Sequence, residues 1–192
     1  MIQDKPAAFL ANTLQHRPLK RSIISFAPCL SWDPRKTEYG ICVLRPHYVE
    51  SLRLKFTANI PSDFITNIIE ICDLKNTDIV VRKFTSEDSK YDPNLNDDLH
   101  ALLEVCCEKG VPMAAIRQCK YRQFFTCNLP PTDRNFKLAM KEFGGSYGNL
   151  FIEYVLSHKN MIEAFALAKY YEYLLGLDSY ASKSLGLEDL FD

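Results

Sequence analysis

The sequence has few of the features that mark an enzyme at first reading. It has 7 glycines in 192 residues, and none of them builds a phosphate-cradling P-loop. It has no G-x-S-x-G elbow, and its 4 histidines stand in neither a Ser/His nor a Cys/His motif. The 7 cysteines form no CxxC pair and no ligand-spaced cluster with histidine, which argues against zinc. A net charge of -1 creates no global field for a nucleic acid, so any such surface must be local. No stretch is long and apolar enough to span a membrane, and no signal peptide is visible. What remains is the composition of a globular domain of ordinary size with ample capacity for a core. Its cysteines read as reduced, mostly buried thiols of a cytoplasmic protein.

One stretch organises what is present. Leu30-Ser31-Trp32-Asp33-Pro34-Arg35-Lys36-Thr37-Glu38-Tyr39-Gly40-Ile41-Cys42-Val43-Leu44 reads as a β-hairpin. A carboxylate at the end of a central strand, facing a tight turn, can hold a divalent cation for phosphodiester chemistry. The plainer alternative is that Asp33-Pro34 starts a turn and nothing more.

Residues 1–22 read as a flexible arm with a basic end, His16-Arg17-Pro18-Leu19-Lys20-Arg21. Strands are expected over Ile23–Phe26, Leu30–Asp33, Tyr39–Arg45 and Ser51–Thr57. Pro61-Ser62-Asp63 starts a helix with Phe64, Ile65, Ile68, Ile69 and Cys72 on one face. A buried strand follows at Asp78–Phe84. Asp97 or Asp98 caps the next helix, which Gly110 ends, and Val111–Ile116 is another short strand. In that helix the vicinal Cys106-Cys107 pair reads as core plus flank.

Arg117 to Phe125 is a short helix with basic and aromatic residues interleaved. Thr132 or Asp133 caps a helix that Gly144-Gly145 closes. The last long helix begins near Asn160 and stops at Gly176. Three strands followed by alternating helices and strands predict an α/β fold, a mixed sheet covered by helices.

That order is the one a ribonuclease H-like domain uses. Over residues 23–176 the sequence resembles RuvC-type Holliday junction resolvases, especially divergent small ones of phages. The resemblance rests on Leu30-Ser31-Trp32-Asp33-Pro34 with Tyr39–Leu44, on Gly110-Val111-Pro112-Met113 followed by Lys120, and on Asp133–Leu138. It ends with His158–Tyr171, which contains Glu163-Ala164-Phe165-Ala166-Leu167-Ala168. It implies a ribonuclease H-like mixed five-stranded sheet with helices on both faces, acting on branched DNA as a symmetric dimer. It also implies Mg²⁺ or Mn²⁺ held between carboxylates from distant elements.

On that resemblance Asp33 matches the first carboxylate and Glu163 the last, with Asn160 where some members carry another Asp. Arg82 stands where a strand-end Glu is expected, and a guanidinium repels a cation. The resemblance therefore implies an impaired or inactive relative, a binding or recruitment module in viral or phage DNA replication, recombination or transcription. The alternative is an active structure-specific endonuclease. Glu163 also has a purely structural reading, because Asn160-Met161-Ile162-Glu163 fits a capping box.

Nucleic acid is expected to meet Arg35, Lys36, Arg82, Arg117, Lys120 and Arg122. For the last three, the alternative is an amphipathic helix with its aromatics inward and its charges in water. Residues 177–192 read as an acidic-apolar tail in which Leu187, Leu190 and Phe191 dock on a protein such as a sliding clamp. The alternative is a chain end that packs on its own domain.

Overall fold

The computed structural model describes residues 22–30, 36–45, 49–57, 77–84, 93–127 and 129–184. Strands β1 (Ser22–Leu30), β2 (Lys36–Leu44) and β3 (Val49–Thr57) pair antiparallel in succession. Strand β4 (Thr77–Phe84) runs parallel to β1, and β5 (Met113–Arg117) runs parallel to β4. The sheet order is β3-β2-β1-β4-β5, so β1 lies at its centre. This is the mixed five-stranded sheet expected from the element order.

Strand β1 is continuous from Ser22 to Leu30, where the hydrophobic pattern predicts two pieces and leaves Ser22 in the arm. Its parallel ladder to β4 ends at Phe26, before Pro28, which has no N–H to donate. The helix expected after Pro61 lies outside the described residues, as does the arm before Ser22.

Helix α1 (Pro93–Lys109) starts four positions before the cap expected at Asp97, with proline at its first position. Proline is pre-set for that place, since no intrahelical acceptor waits for its missing N–H. Helices α2 (Gln118–Thr126), α3 (Asp133–Gly144), α4 (Asn149–Leu156) and α5 (Lys159–Ser184) follow, with a 3₁₀ turn at Gly145–Tyr147. Thr132 caps α3 by accepting from the Asn135 N–H.

Helix α5 does not stop at Gly176 but runs on to Ser184. One helical glycine costs only about 1 kcal/mol relative to alanine.

Strand alternation sorts the core into two layers. Ile24, Phe26, Tyr39, Ile41, Val43 and Val80 pack with Leu102, Val105 and Cys106 of α1. Ile23, Ala27, Cys42, Leu44, Ile79 and Val81 pack on the opposite face against α5. Helices therefore cover both faces of the sheet.

Helix α5 is the most deeply seated element, with residues 160 to 169 all buried. The Ser25 hydroxyl donates to the Ala164 carbonyl at 2.6 Å, tying the central strand to this helix. A buried ion pair, Lys169–Glu172, fastens the helix further along, with the ammonium over the Tyr147 ring. Burial opposes the charge on Lys169, but Glu172 outweighs it and holds the ammonium above its ordinary value.

Cys42, Cys106, Cys107, Cys119 and Cys127 are free thiols. Cys106 is buried and Cys107 exposed, the core-plus-flank arrangement read from the sequence. Burial first, then Cys107, push the Cys106 thiol up to about 11, so it is inert. Among the described residues, no helix is long and apolar enough to cross a membrane.

Candidate functional site

In open sheets with parallel strands, ligands gather at the carboxyl ends of those strands. Here the parallel strands are β1, β4 and β5, ending at Leu30, Phe84 and Arg117. Helix α2 leaves this edge directly after Arg117, and α5 crosses the sheet beneath it.

Glu163 lies on α5 at 1% exposure, and α2 supplies its partners. Its Oε1 accepts from Gln118 Nε2 at 2.8 Å, from Arg122 Nε at 2.9 Å and from Arg122 Nη2. Its Oε2 accepts from the Tyr121 hydroxyl. Arg122 then reaches outward, donating through Nη1 to Asp133 at 2.6 Å, and Lys159 donates to the other oxygen of Asp133 at 2.9 Å. The result is a chain of alternating charge, Glu163–Arg122–Asp133–Lys159, that runs from the core to the surface.

The Arg122 guanidinium also lies 4.8 Å from the centroid of the Phe136 ring. Burial opposes its charge, but hydrogen bonds from it to Glu163 and Asp133 hold it above its ordinary value. Hydrogen bonds from Lys159 and then Arg122 hold the Asp133 carboxyl below the usual range. Burial, and then the adjacent Glu163 carboxylate, push the Tyr121 hydroxyl well up, so it remains a donor.

Glu163 therefore does not close a capping box. In the first turn of α5, the Met161 and Ile162 amides both donate to the His158 carbonyl, and the Met161 amide also donates to Asn160 Oδ1 at 3.0 Å. The Asn160 Nδ2 is buried without a partner among the described residues.

Arg82 and Glu163 do not share a face of the sheet. Arg82 pairs with Phe26 and alternates with Val81, which places it with Val80 on the α1 side. It is 1% exposed and donates to the Lys83 carbonyl at 3.2 Å. The residue that faces α5 at the end of β4 is Lys83, also buried. The end of β4 therefore carries a buried cation on each face, Arg82 on the α1 side and Lys83 on the α5 side.

Arg117 and Lys120 are exposed, while Arg122 is withdrawn into the network. Tyr121 and Phe125 point into the core, and Phe124 packs on Tyr170 and Tyr173. Asp33 and Arg35 lie outside the described residues, as do Leu187, Leu190 and Phe191. Lys36 lies in β2, but its side chain is outside the described set.

Sequence reasoning does not single out Gln118, Tyr121, Asp133 and Lys159 as members of a network around Glu163. The available signal is Glu163 itself, a lone charge within the apolar run from Met161 to Ala168. Such a charge needs a buried cation, and Arg122 is a basic residue flanked by core aromatics.

The described residues do not fit Mg²⁺ or Mn²⁺. A divalent ion needs free carboxylate lone pairs, and those of Glu163 are engaged by protein donors. Arg122 brings positive charge directly against Glu163. Among the described residues, no three His, Cys, Asp or Glu side chains gather as a metal requires.

The structure is similar to that of RuvC from Thermus thermophilus, with 12% identity and a TM-score of 0.53, over 79% of this chain and 95% of that chain. It is also similar to T. thermophilus RuvC in complex with Holliday junction substrate, with 12% identity and a TM-score of 0.55, over 78% and 91%. No protein-family model matches the sequence, and no curated protein is similar to it in sequence. The likeness is one of architecture: the chain has a RuvC-like, ribonuclease H-like α/β fold.

Proposed function

We propose that the chain binds nucleic acid, branched DNA above all, on a RuvC-like scaffold that no longer cuts it. Its role is that of a recruitment module in phage or other viral DNA replication, recombination or transcription. One observation carries the reading: Glu163 is held by Arg122, Tyr121 and Gln118, so a guanidinium occupies the place of a cation. Such a site has no ion to activate water. The carboxyl edge of the parallel strands still carries positive charge, with Arg117 and Lys120 exposed beside it.

Two measurements test this. Calorimetric titration with Mn²⁺ is expected to show no saturable binding, and a four-way DNA junction is expected to remain uncut. Cleavage that is lost in Asp33→Asn would overturn the reading and make the chain a metal-dependent, structure-specific endonuclease. Binding is expected to weaken steeply with salt. The double variant Arg117→Ala, Lys120→Ala should reduce the slope of log K against log salt by about one unit for each phosphate no longer neutralised. An unchanged slope and affinity would remove this surface from the reading.

The recruiting end, in this proposal, is the segment 185–192. Leu187, Leu190 and Phe191 fill an apolar pocket on a partner such as a sliding clamp, while Glu188, Asp189 and Asp192 meet its basic rim. Deleting Leu187–Asp192 should leave the melting temperature nearly unchanged and abolish recruitment to the clamp. A large drop in melting temperature would instead assign the segment to the core.

A further inference from the structure

The segment from Arg117 to Lys141 carries six basic residues and one acidic one, in a chain whose net charge is -1. Arg122 and Asp133 are engaged in the buried network, but α3 keeps a cationic outer face. Arg134, Lys137 and Lys141 stand at positions i, i+3 and i+7 of that helix, all exposed and without an ion pair among the described residues. Leu138, at 55% exposure, lies on the same side, with Glu142 one turn further on at the margin of the stripe. It is the exception in α3, whose Phe136, Met140 and Phe143 are all buried. An open leucine among unpaired cations fits a ligand that is apolar and acidic together.

One segment of the chain has that composition. Residues 185–192, outside the described residues, read Leu-Gly-Leu-Glu-Asp-Leu-Phe-Asp. Leu187, Leu190 and Phe191 are spaced i, i+3 and i+4, and Glu188, Asp189 and Asp192 match the three cations of α3 in number. The segment does not reach α3 of its own molecule. Helix α3 meets α5 at Lys159, through Asp133, and at Phe165, through Phe143. Ser184, where α5 ends, is 19 residues beyond Phe165, about 28 Å at the rise of a helix. Phe191 is seven residues past Ser184, at most about 25 Å when fully extended. Leu138 lies further still, toward the Lys159 end of α5.

We propose that residues 185–192 of a second copy lie on the outer face of α3, so that tail and nucleic acid exclude one another there. The inference rests on the nucleic-acid and docking-tail readings above and adds their regulation. In the free protein the tail is held by a neighbouring molecule. A bound nucleic acid neutralises the same cations and releases the tail to the partner. Ordering a short peptide opposes the contact and salt screens its charges, so the affinity is modest and falls as salt rises.

Sedimentation and a peptide titration test this. At low salt the full chain should sediment faster as its concentration rises, and the chain lacking residues 185–192 should not. A labelled peptide of residues 185–192, titrated with that shortened chain, should bind saturably. The double variant Lys137→Glu, Lys141→Glu should weaken the peptide at least about tenfold, since attraction becomes repulsion at two exposed positions. Thermal unfolding reports that the variant folds. Leu190→Ser with Phe191→Ser in the peptide should also weaken it, which a purely electrostatic contact would not show. Duplex DNA should displace the peptide. Equal sedimentation of full and shortened chains, a peptide that does not bind, or one that binds the charge-reversed chain equally overturns the inference. So does a peptide that stays bound under saturating DNA. All four outcomes leave the nucleic-acid reading standing. A full chain that binds no DNA overturns that reading, and the exclusion with it.

Discussion

Arg122→Leu is expected to destabilise the protein by about 3–5 kcal/mol, the usual cost of removing one partner of a buried ion pair. For a chain of this size that is a fall in melting temperature of roughly 6–20 °C. The reason lies in what the substitution leaves behind. Glu163 is 1% exposed and would keep only Tyr121 and Gln118 as donors, with no cation to balance it.

The sign of the pH dependence follows from Asp133. Its carboxyl is held low by Lys159 and then by Arg122, so its contribution is present above the ordinary carboxylate value and is lost as pH falls through the lowered one. Arg122→Leu removes the Arg122 part of that contribution, so the variant's deficit relative to the parent should be larger at pH 7 than at pH 3. Adding Glu163→Gln to Arg122→Leu should recover part of the loss, because the buried charge left without a counter-ion is then gone. A deficit that is equal at both pH values, with no recovery in the double variant, would show that the network does not bear on stability as described.

Gly40→Val should cost at least about 3 kcal/mol, at or beyond the upper end of ordinary overpacking. A Cβ at Gly40 would meet the Asn160 carbonyl and stand 2.7 Å from the Met161 nitrogen. Both neighbours are backbone of the first turn of α5, so no side chain can rotate away. The strand and the helix must separate, and with them the packing that seats α5 on β1 and β2.

Gly145→Ala provides the contrast. Nothing lies within 4 Å of a Cβ there, and the backbone is right-handed helical at φ -57 and ψ -26. Alanine at such a position narrows the unfolded ensemble and stabilises by about 0.4–1 kcal/mol. Urea midpoints should therefore move in opposite directions for the two variants. A Gly40→Val protein as stable as its parent would mean that α5 does not rest on β2 at this point.

Residue order alone specifies the local grammar of this chain. The alternating runs around Ile24, Ile41 and Val80 suit strands buried on both faces, and the 3.6-residue spacing of Phe136, Met140 and Phe143 seats one side of a helix. Element order then leads to the mixed sheet. Those signals are short in range, and each is carried by residues a few positions apart.

Long-range packing settles the rest, because the deciding interactions join distant residues or turn on a single step of the pleat. Glu163 could cap its own helix or bind a partner elsewhere. The choice is made by Gln118, Tyr121 and Arg122, separated from it by 45, 42 and 41 residues. A strand alternates faces at every residue, so only the register Phe26–Arg82 shows that Arg82 faces α1 and Lys83 faces α5. Burial also reassigns Arg122, since a guanidinium is a surface group by composition and an internal counter-ion only where a buried carboxylate demands one.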